Sequence, residues 1–269
     1  VSAALAVLPL LGIIGGAPSS DPAVVCLQAD TLPICSGTVV STHAVLTAGH
    51  CANTLGTSVP YFIAFGSDCH APQRRARITA FEVHPRYSGE GKPFDLALAR
   101  FDPPLVVAPV PVTREGLDAG APLRHVGYGT SNELEMSGWG TQRAVTHPLN
   151  RLDDDFLYSG DPAANTCYGD SGGPALTAGQ LVAVVSDGPD CHSESRDARV
   201  DLTWLDSVLA QWDPPTSPPV KGCGCSSVEA TLLAGAALIV TSSRRKRRFP
   251  KSPGRITRMR GAQWTSSLL

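Results

Sequence analysis

The sequence predicts a mainly β protein that ends in one amphipathic helix, and three observations carry that expectation. Twenty-six glycines and 23 prolines are spread between short apolar runs; helix interiors tolerate neither residue well, so an all-helical fold is excluded. Between residues 13 and 212, seven runs read as strands bounded by turn residues: GTVVS, VLTA, YFIAFG, RITAFEV, DLALARF, LRHVGYG and LVAVVS. Only LTWLDSVLAQW (202–212) has helical spacing, through Leu202, Leu205, Val208 and Leu209. With 269 residues and 42% apolar content the chain can bury a sizeable core, and the strands can close as a barrel or stack as a sandwich.

Taken in order, the first 14 residues, VSAALAVLPLLGII, resemble the hydrophobic region of a secretion signal. A buried first strand is the alternative, and Pro9 and the lack of alternation speak against it. VLTA runs into TAGHC, so His50 follows a strand directly, with Cys51 beside it. DLALARF alternates, which puts Asp95 at a strand's edge with apolar residues behind it. Beyond the helix, DPPTSPPVKG (213–222) has four prolines in ten residues and reads as a stiff, extended linker, so the globular domain ends near Trp212. There is no internal sequence repeat.

Charge and cysteine usage narrow the function. Nine Lys/Arg and no acid lie in residues 244–269, leaving 13 basic against 24 acidic residues before them, a balance of −11. Nucleic-acid binding by the main body is thereby disfavoured. The eight cysteines form no CxxC pair; those at 26, 35, 51, 69, 167 and 191 are dispersed, which suits disulfides made in an oxidising compartment, hence export. No metal or other cofactor is expected.

The tail has three parts: Cys223 and Cys225 in GCGC, an apolar run over 228–241 broken by Glu229, then Arg244, Arg245, Lys246, Arg247 and Arg248. This order resembles the myxobacterial C-terminal sorting signal, with the basic cluster on the cytoplasmic side of a membrane. About 14 residues at roughly 1.5 Å each reach about 21 Å, against a hydrocarbon core of about 30 Å. An amphipathic helix with a solvated basic face is therefore the alternative. Residues 249–269 are a polar, basic tail.

Three segments carry chemistry. GDSGGP (169–174) sets Ser171 among glycines, where a tight turn can present its hydroxyl and neighbouring amides to one point. A serine hydroxyl is a poor nucleophile at neutral pH and needs a base with a pKa near 7, which the imidazole of His50 supplies. A carboxylate such as Asp95 can accept the other imidazole N–H, fix the tautomer and stabilise the imidazolium.

IIGG (13–16), CSGTVVSTHAVLTAGHC (35–51), DLAL (95–98), GYGT (127–130), CYGDSGGP (167–174) and VSDGPDC (185–191) stand in the order found in the chymotrypsin-like (trypsin-like) serine proteases. The chain resembles that family from residue 13 to about 212. The resemblance implies two six-stranded antiparallel β-barrels with the active site between them and a C-terminal helix outside. It implies His50 as general base, Asp95 as its orienting partner, Ser171 as nucleophile, and the N–H groups of Gly169 and Ser171 as the oxyanion hole. It pairs Cys35 with Cys51, Cys167 with Cys191 and Cys26 with Cys69. Asn165, Ser186, Gly188 and Ser195 are expected to contact substrate, Asn165 at the base of the specificity pocket. A free amine at Ile13 is expected to pair with Asp170.

There are departures too. The GYGT-to-GDSGGP stretch is short and lacks a cysteine pair, as in bacterial members, and Asp187 stands where the family usually has Trp. The domains so read are a signal or propeptide remnant (1–12), a protease domain (13–212), the linker (213–222), the Cys motif, apolar run and Arg cluster (223–248), and the basic tail (249–269). The function implied is that of an exported serine endopeptidase acting on protein or peptide substrates, held at the cell envelope by its tail and expected to be a monomer. A silent homologue serving as a surface binding or adhesion module is the rival. An esterase of the α/β-hydrolase kind is disfavoured because no helical pattern follows Ser171, as the strand–turn–helix nucleophile elbow requires.

Overall fold

The computed structural model describes residues 13–212 apart from Leu55, Thr57, Leu105 and Val106; the expected N-terminal remnant, the linker, the three-part sorting signal and the basic tail lie outside the described residues. A two-residue strand, β1 (Ala17–Pro18), leads into six strands: β2 (Val24–Ala29), β3 (Leu32–Val39), β4 (Ala44–Thr47), β5 (Tyr61–Phe65), β6 (Arg74–Val83) and β7 (Ala97–Asp102). These close as an antiparallel barrel in the order β2-β3-β4-β7-β6-β5. Closure leaves no free edge for unwanted pairing. Leu27, Leu46, Ile63, Leu98 and Phe101 fill its interior, all fully buried, each contributing about 1.5–3 kcal/mol by burial.

The second half repeats the plan with β8 (Pro122–Gly127), β9 (Arg143–Leu152), β10 (Phe156–Ser159), β11 (Pro174–Thr177), β12 (Gln180–Asp187) and β13 (Ser195–Arg199). They pair antiparallel in the order β9-β10-β13-β12-β11-β8, and β8 returns to β9, so this sheet is also a closed six-stranded barrel, with β1 paired to β9. Leu123, Leu149, Leu157, Val182 and Ala183 form its apolar core. Polar residues share that interior: His125 and Asp197 are fully buried and joined Nε2 to Oδ2 at 2.9 Å, with the Ser159 hydroxyl on the same oxygen at 3.3 Å and the His147 ring stacked on His125.

That interior explains two of the strands that the apolar pattern misses. The seven runs fall on β3, β4, β5, β6, β7, β8 and β12. β9 alternates in burial, but His147 is one of its buried positions. β13 points Ser195 and Asp197 inward. Both strands are regular in backbone yet lack an apolar stripe.

The helix α1 spans Leu202–Trp212, as its spacing predicts. Asp201 caps it, Oδ1 accepting the Trp204 N–H at 3.1 Å. Trp204, Leu205 and Val208 are buried. Trp204 packs edge-on against His84, and the His84 ring also stacks on Phe94 at 4.7 Å. Among the described residues no helix is long and apolar enough to cross a membrane.

Candidate active site

The two barrels meet at a cleft of about 280 Å³ lined by residues that include His50, Glu90, Thr166, Ser171, Ser186 and Asp187. His50 lies in a single 3-10 turn, Gly49–Asn53, immediately after β4. The disulfide Cys35–Cys51 ties that turn to β3. Asp95 comes two residues before β7 and follows Phe94, a non-glycine residue at φ 63°. Such a conformation is costly and persists only where packing enforces it. Here the His84 ring stacks on Phe94 and the Arg86 guanidinium lies over the ring at 3.8 Å, so the core fixes the backbone that aims Asp95.

The buried Asp95 carboxylate is surrounded by donors. Its Oδ2 pairs with His50 Nδ1 at 2.8 Å and accepts the Ser186 hydroxyl at 2.7 Å, while Oδ1 accepts the His50 backbone N–H at 2.9 Å. Burial, followed by the charge of Asp95, pushes the Tyr87 pKa up. Burial of Asp95 disfavours its charge, but the bonds from His50 and Ser186 outweigh this and hold its pKa below the ordinary range. For His50 burial also opposes the charged form, yet Asp95, with Glu90 and Asp187 farther out, prevails and raises the pKa above 6.5. In this arrangement Nδ1 is the protonated nitrogen and Nε2 is left as the base.

Ser171 sits on the cleft in the loop between β10 and β11. Gly169 and Gly172 have φ values of 93° and 83°, a region costly for residues with a Cβ. Space also demands glycine: a Cβ on Gly172 would lie 2.1 Å from Thr47 Oγ1 and 2.3 Å from the Ser36 carbonyl oxygen. Between them Asp170 is buried, its Oδ1 accepting the Gly129 N–H at 2.8 Å and its Oδ2 the Cys167 N–H at 2.9 Å. Burial pushes its pKa up to about 7 against the opposing charges of His125 and Arg143. Ile13 is buried, and the neighbouring Ile14 carbonyl accepts the Asn165 N–H at 3.0 Å.

The remaining disulfides are Cys167–Cys191, tying the serine loop to the segment before β13, and Cys26–Cys69, bracing the first barrel. Cys35, His50 and Cys51 form the one grouping of potential metal ligands among the described residues; both cysteines are in a disulfide and offer no thiolate.

Gly188 and Ser195 line the cleft and face each other, since a Cβ on Gly188 would come within 3.4 Å of Ser195 Cα. Ser186 lines it too, with its hydroxyl turned to Asp95. Asn165 departs from expectation. It is fully buried, its Nδ2 donates to the Ser193 carbonyl and its Oδ1 accepts the Thr166 N–H at 2.9 Å. With both ends of the amide satisfied by the chain, Thr166 lines the cleft instead. Sequence reasoning passed over Glu90 and Tyr87, which precede Asp95 in a loop with no distinctive pattern. It noted Asp187 but not its partner: Arg196 Nε donates to Asp187 Oδ1 at 2.8 Å and Nη2 to Oδ2. The two are cross-strand neighbours in β12 and β13, a relation visible only once register is known.

Because Glu90 helps hold the imidazolium, Glu90→Gln is expected to lower the His50 pKa. An NMR titration of the His50 ring in both proteins checks this, and an unmoved or raised midpoint contradicts it.

Comparisons with known proteins agree with this geometry. The Trypsin family profile matches residues 13–204. The chain is 30% identical over 183 residues to a trypsin of Saccharopolyspora erythraea, covering 60% of this chain and 78% of that one. It is 24% identical over 212 residues to trypsin delta of Drosophila erecta, covering 66% and 79%. In fold it is similar to neuropsin, a serine protease expressed in the limbic system of mouse brain, with a TM-score of 0.64 at 21% identity over 72% of this chain and 98% of that one. With two closed barrels, a His–Asp pair and a glycine-bound serine meeting at one cleft, and a family match across most of its length, the chain belongs to the trypsin family of serine proteases.

Proposed function

We infer that the protein is a serine endopeptidase that cleaves peptide bonds through an acyl-enzyme on Ser171. The observation that carries this reading is the His50–Asp95 hydrogen bond of 2.8 Å in a cleft that Ser171 also lines. His50 Nε2 takes the Ser171 proton as the hydroxyl attacks the scissile carbonyl, and Asp95 stabilises the imidazolium formed. The Gly169 and Ser171 N–H groups hold the oxyanion. His50 then returns the proton to the leaving amine, and water releases the acyl group by the same steps. The silent-homologue rival is less favoured, because silent relatives typically lose the Ser or the His and the sequence keeps His50, Asp95 and Ser171. Release of new amino termini from a protein substrate by the purified chain tests the reading; no release at any pH from 6 to 10 contradicts it.

The pocket favours neutral side chains of medium size. Gly188 leaves one wall open, and Thr166 and Ser195 bring hydroxyls but no charge. The Asp187 carboxylate is engaged by Arg196, and Asp190 by the His192 N–H and Ser193 hydroxyl. A cation entering beside Thr166, Gly188 and Ser195 meets no carboxylate among those three, against a desolvation penalty of several kcal/mol; Glu90, also on the cleft, acts on His50. Peptide-library profiling is expected to show no strict cleavage after Arg or Lys. A preference for either above about a hundredfold over every neutral residue, roughly 2.7 kcal/mol, contradicts this pocket.

Activation and export complete the proposal. An amine freed at Ile13 supplies a cation beside the buried Asp170, and residues 223–248 hold the domain at the envelope. A chain cut after Pro219 is then expected in the medium as active enzyme beginning at Ile13. An unchanged cell-bound fraction contradicts the anchor, and an active form beginning at Pro18 contradicts the ion pair.

A further inference from the structure

We propose that Ser36 is a positioning residue for the oxyanion hole, its hydroxyl holding in place the loop whose N–H groups receive the developing negative charge. The proposal rests on the reading of Ser171 as nucleophile and Gly169 as oxyanion donor. Ser36 belongs to β3 of the first barrel, adjoins Cys35 of the disulfide that anchors the His50 turn, and is fully buried. Its backbone N–H donates to the Ser171 carbonyl at 2.8 Å. Its Oγ donates to the Gly169 carbonyl at 2.9 Å and accepts the Tyr128 N–H at 3.0 Å. Its own carbonyl accepts the Thr47 hydroxyl at 2.8 Å. One residue of the first barrel thus grips the serine loop of the second on both sides of Asp170.

The side-chain bond acts at the weakest point of the loop. Gly169, at φ 93°, has no Cβ to restrict it and is the residue most able to swing its peptide planes. The peptide after Gly169 is held from both ends: its carbonyl by Ser36 Oγ, and its Asp170 N–H by the Cys167 carbonyl at 3.0 Å. Because that peptide is rigid and planar, fixing both its ends fixes the place of the Gly169 Cα, and the preceding peptide, which carries the Gly169 N–H, is held at its other end by the Thr130 N–H on the Tyr168 carbonyl at 2.8 Å. A hydroxyl suits this place because it accepts from Tyr128 and donates to Gly169 at once. Removing its oxygen leaves a gap of one atom, too small for water to restore both bonds. An oxyanion hole stabilises charge by being preorganised, so a donor that must first be oriented loses part of its effect.

The test is Ser36→Ala, or Ser36→Gly if the alanine variant does not accumulate folded, with folding checked by thermal unfolding. Loss of a whole oxyanion donor lowers kcat about 10²–10³-fold; a loosened donor is expected to lower it about tenfold, with KM within about twofold and the acid limb of the pH profile unmoved. A peptidyl trifluoromethyl ketone, which forms an oxyanion on Ser171, should lose affinity by a similar factor, while a cleaved product peptide binds as to the unaltered protein. A folded variant with unchanged kcat and ketone affinity overturns the proposal, as does an equal loss of product affinity. If the unaltered protein neither turns over peptide nor binds the ketone, the reading of the site itself fails and takes this proposal with it.

Discussion

Ser171→Ala is expected to lower kcat/KM for a peptide substrate by about five orders of magnitude, and His50→Ala by a similar factor. In the proposed mechanism the hydroxyl and the imidazole work as one unit: without the oxygen no acyl-enzyme forms, and without the base the oxygen stays protonated. The double variant should therefore be hardly worse than either single one. The fold should survive, because the serine loop is held by its main chain, with the Ser36 N–H on the Ser171 carbonyl and the Gly172 N–H on the Val185 carbonyl, both at 2.8 Å. Steady-state kinetics with thermal unfolding as control reads both effects. Near-full activity in either variant contradicts the assignment.

Asp95→Asn is expected to cost about 10⁴ in kcat near neutral pH with little change in KM. Asp95 faces the His50 ring and backbone N–H and the Ser186 hydroxyl. A carboxylate accepts from all of them, whereas an amide turns one end into a donor. Meeting that NH₂, the imidazole shifts its proton to Nε2, and the nitrogen that should act as base is blocked. The loss of charge also lowers the His50 pKa, so the acid limb shifts down while the plateau collapses. The stability effects run in opposite pH directions. Asp95, depressed in the fold, contributes stability above 3.8 that is lost as pH falls through its lower folded value. His50, raised in the fold, contributes below 6.5, and that share is lost as pH rises through its higher folded value. Turnover within tenfold of the unaltered protein across pH 6–10 contradicts the orienting role.

What the sequence made legible follows from how directly each feature is written in local chemistry. The helix was readable because Leu202, Leu205, Val208 and Leu209 mark one face, and seven strands because they carry apolar runs. Strands β9 and β13 were hidden by His147, Ser195 and Asp197, polar residues turned inward where apolar ones are expected. At the site, the glycines around Ser171 announce a special turn, and His50 gains meaning once a nucleophile needs a base; Asp95 became specific only through the family's order of motifs. The partners that tune these groups come from distant parts of the chain: Ser186 is 91 residues from Asp95, and the Ser36 hydroxyl reaches a carbonyl 133 residues away. Asn165 shows the limit of counting back from a nucleophile, because where a side chain points depends on which backbone groups stand ready to pair with it.

The central claim, a hydroxyl at residue 171 activated by His50, is tested most directly by covalent labelling. A fluorophosphonate probe incubated with the purified protein is expected to add one phosphonyl group, which peptide mass spectrometry places on Ser171. Labelling should slow as pH falls through the His50 pKa, and it should vanish in Ser171→Ala. No adduct, or an adduct that persists unchanged in Ser171→Ala, would contradict the account.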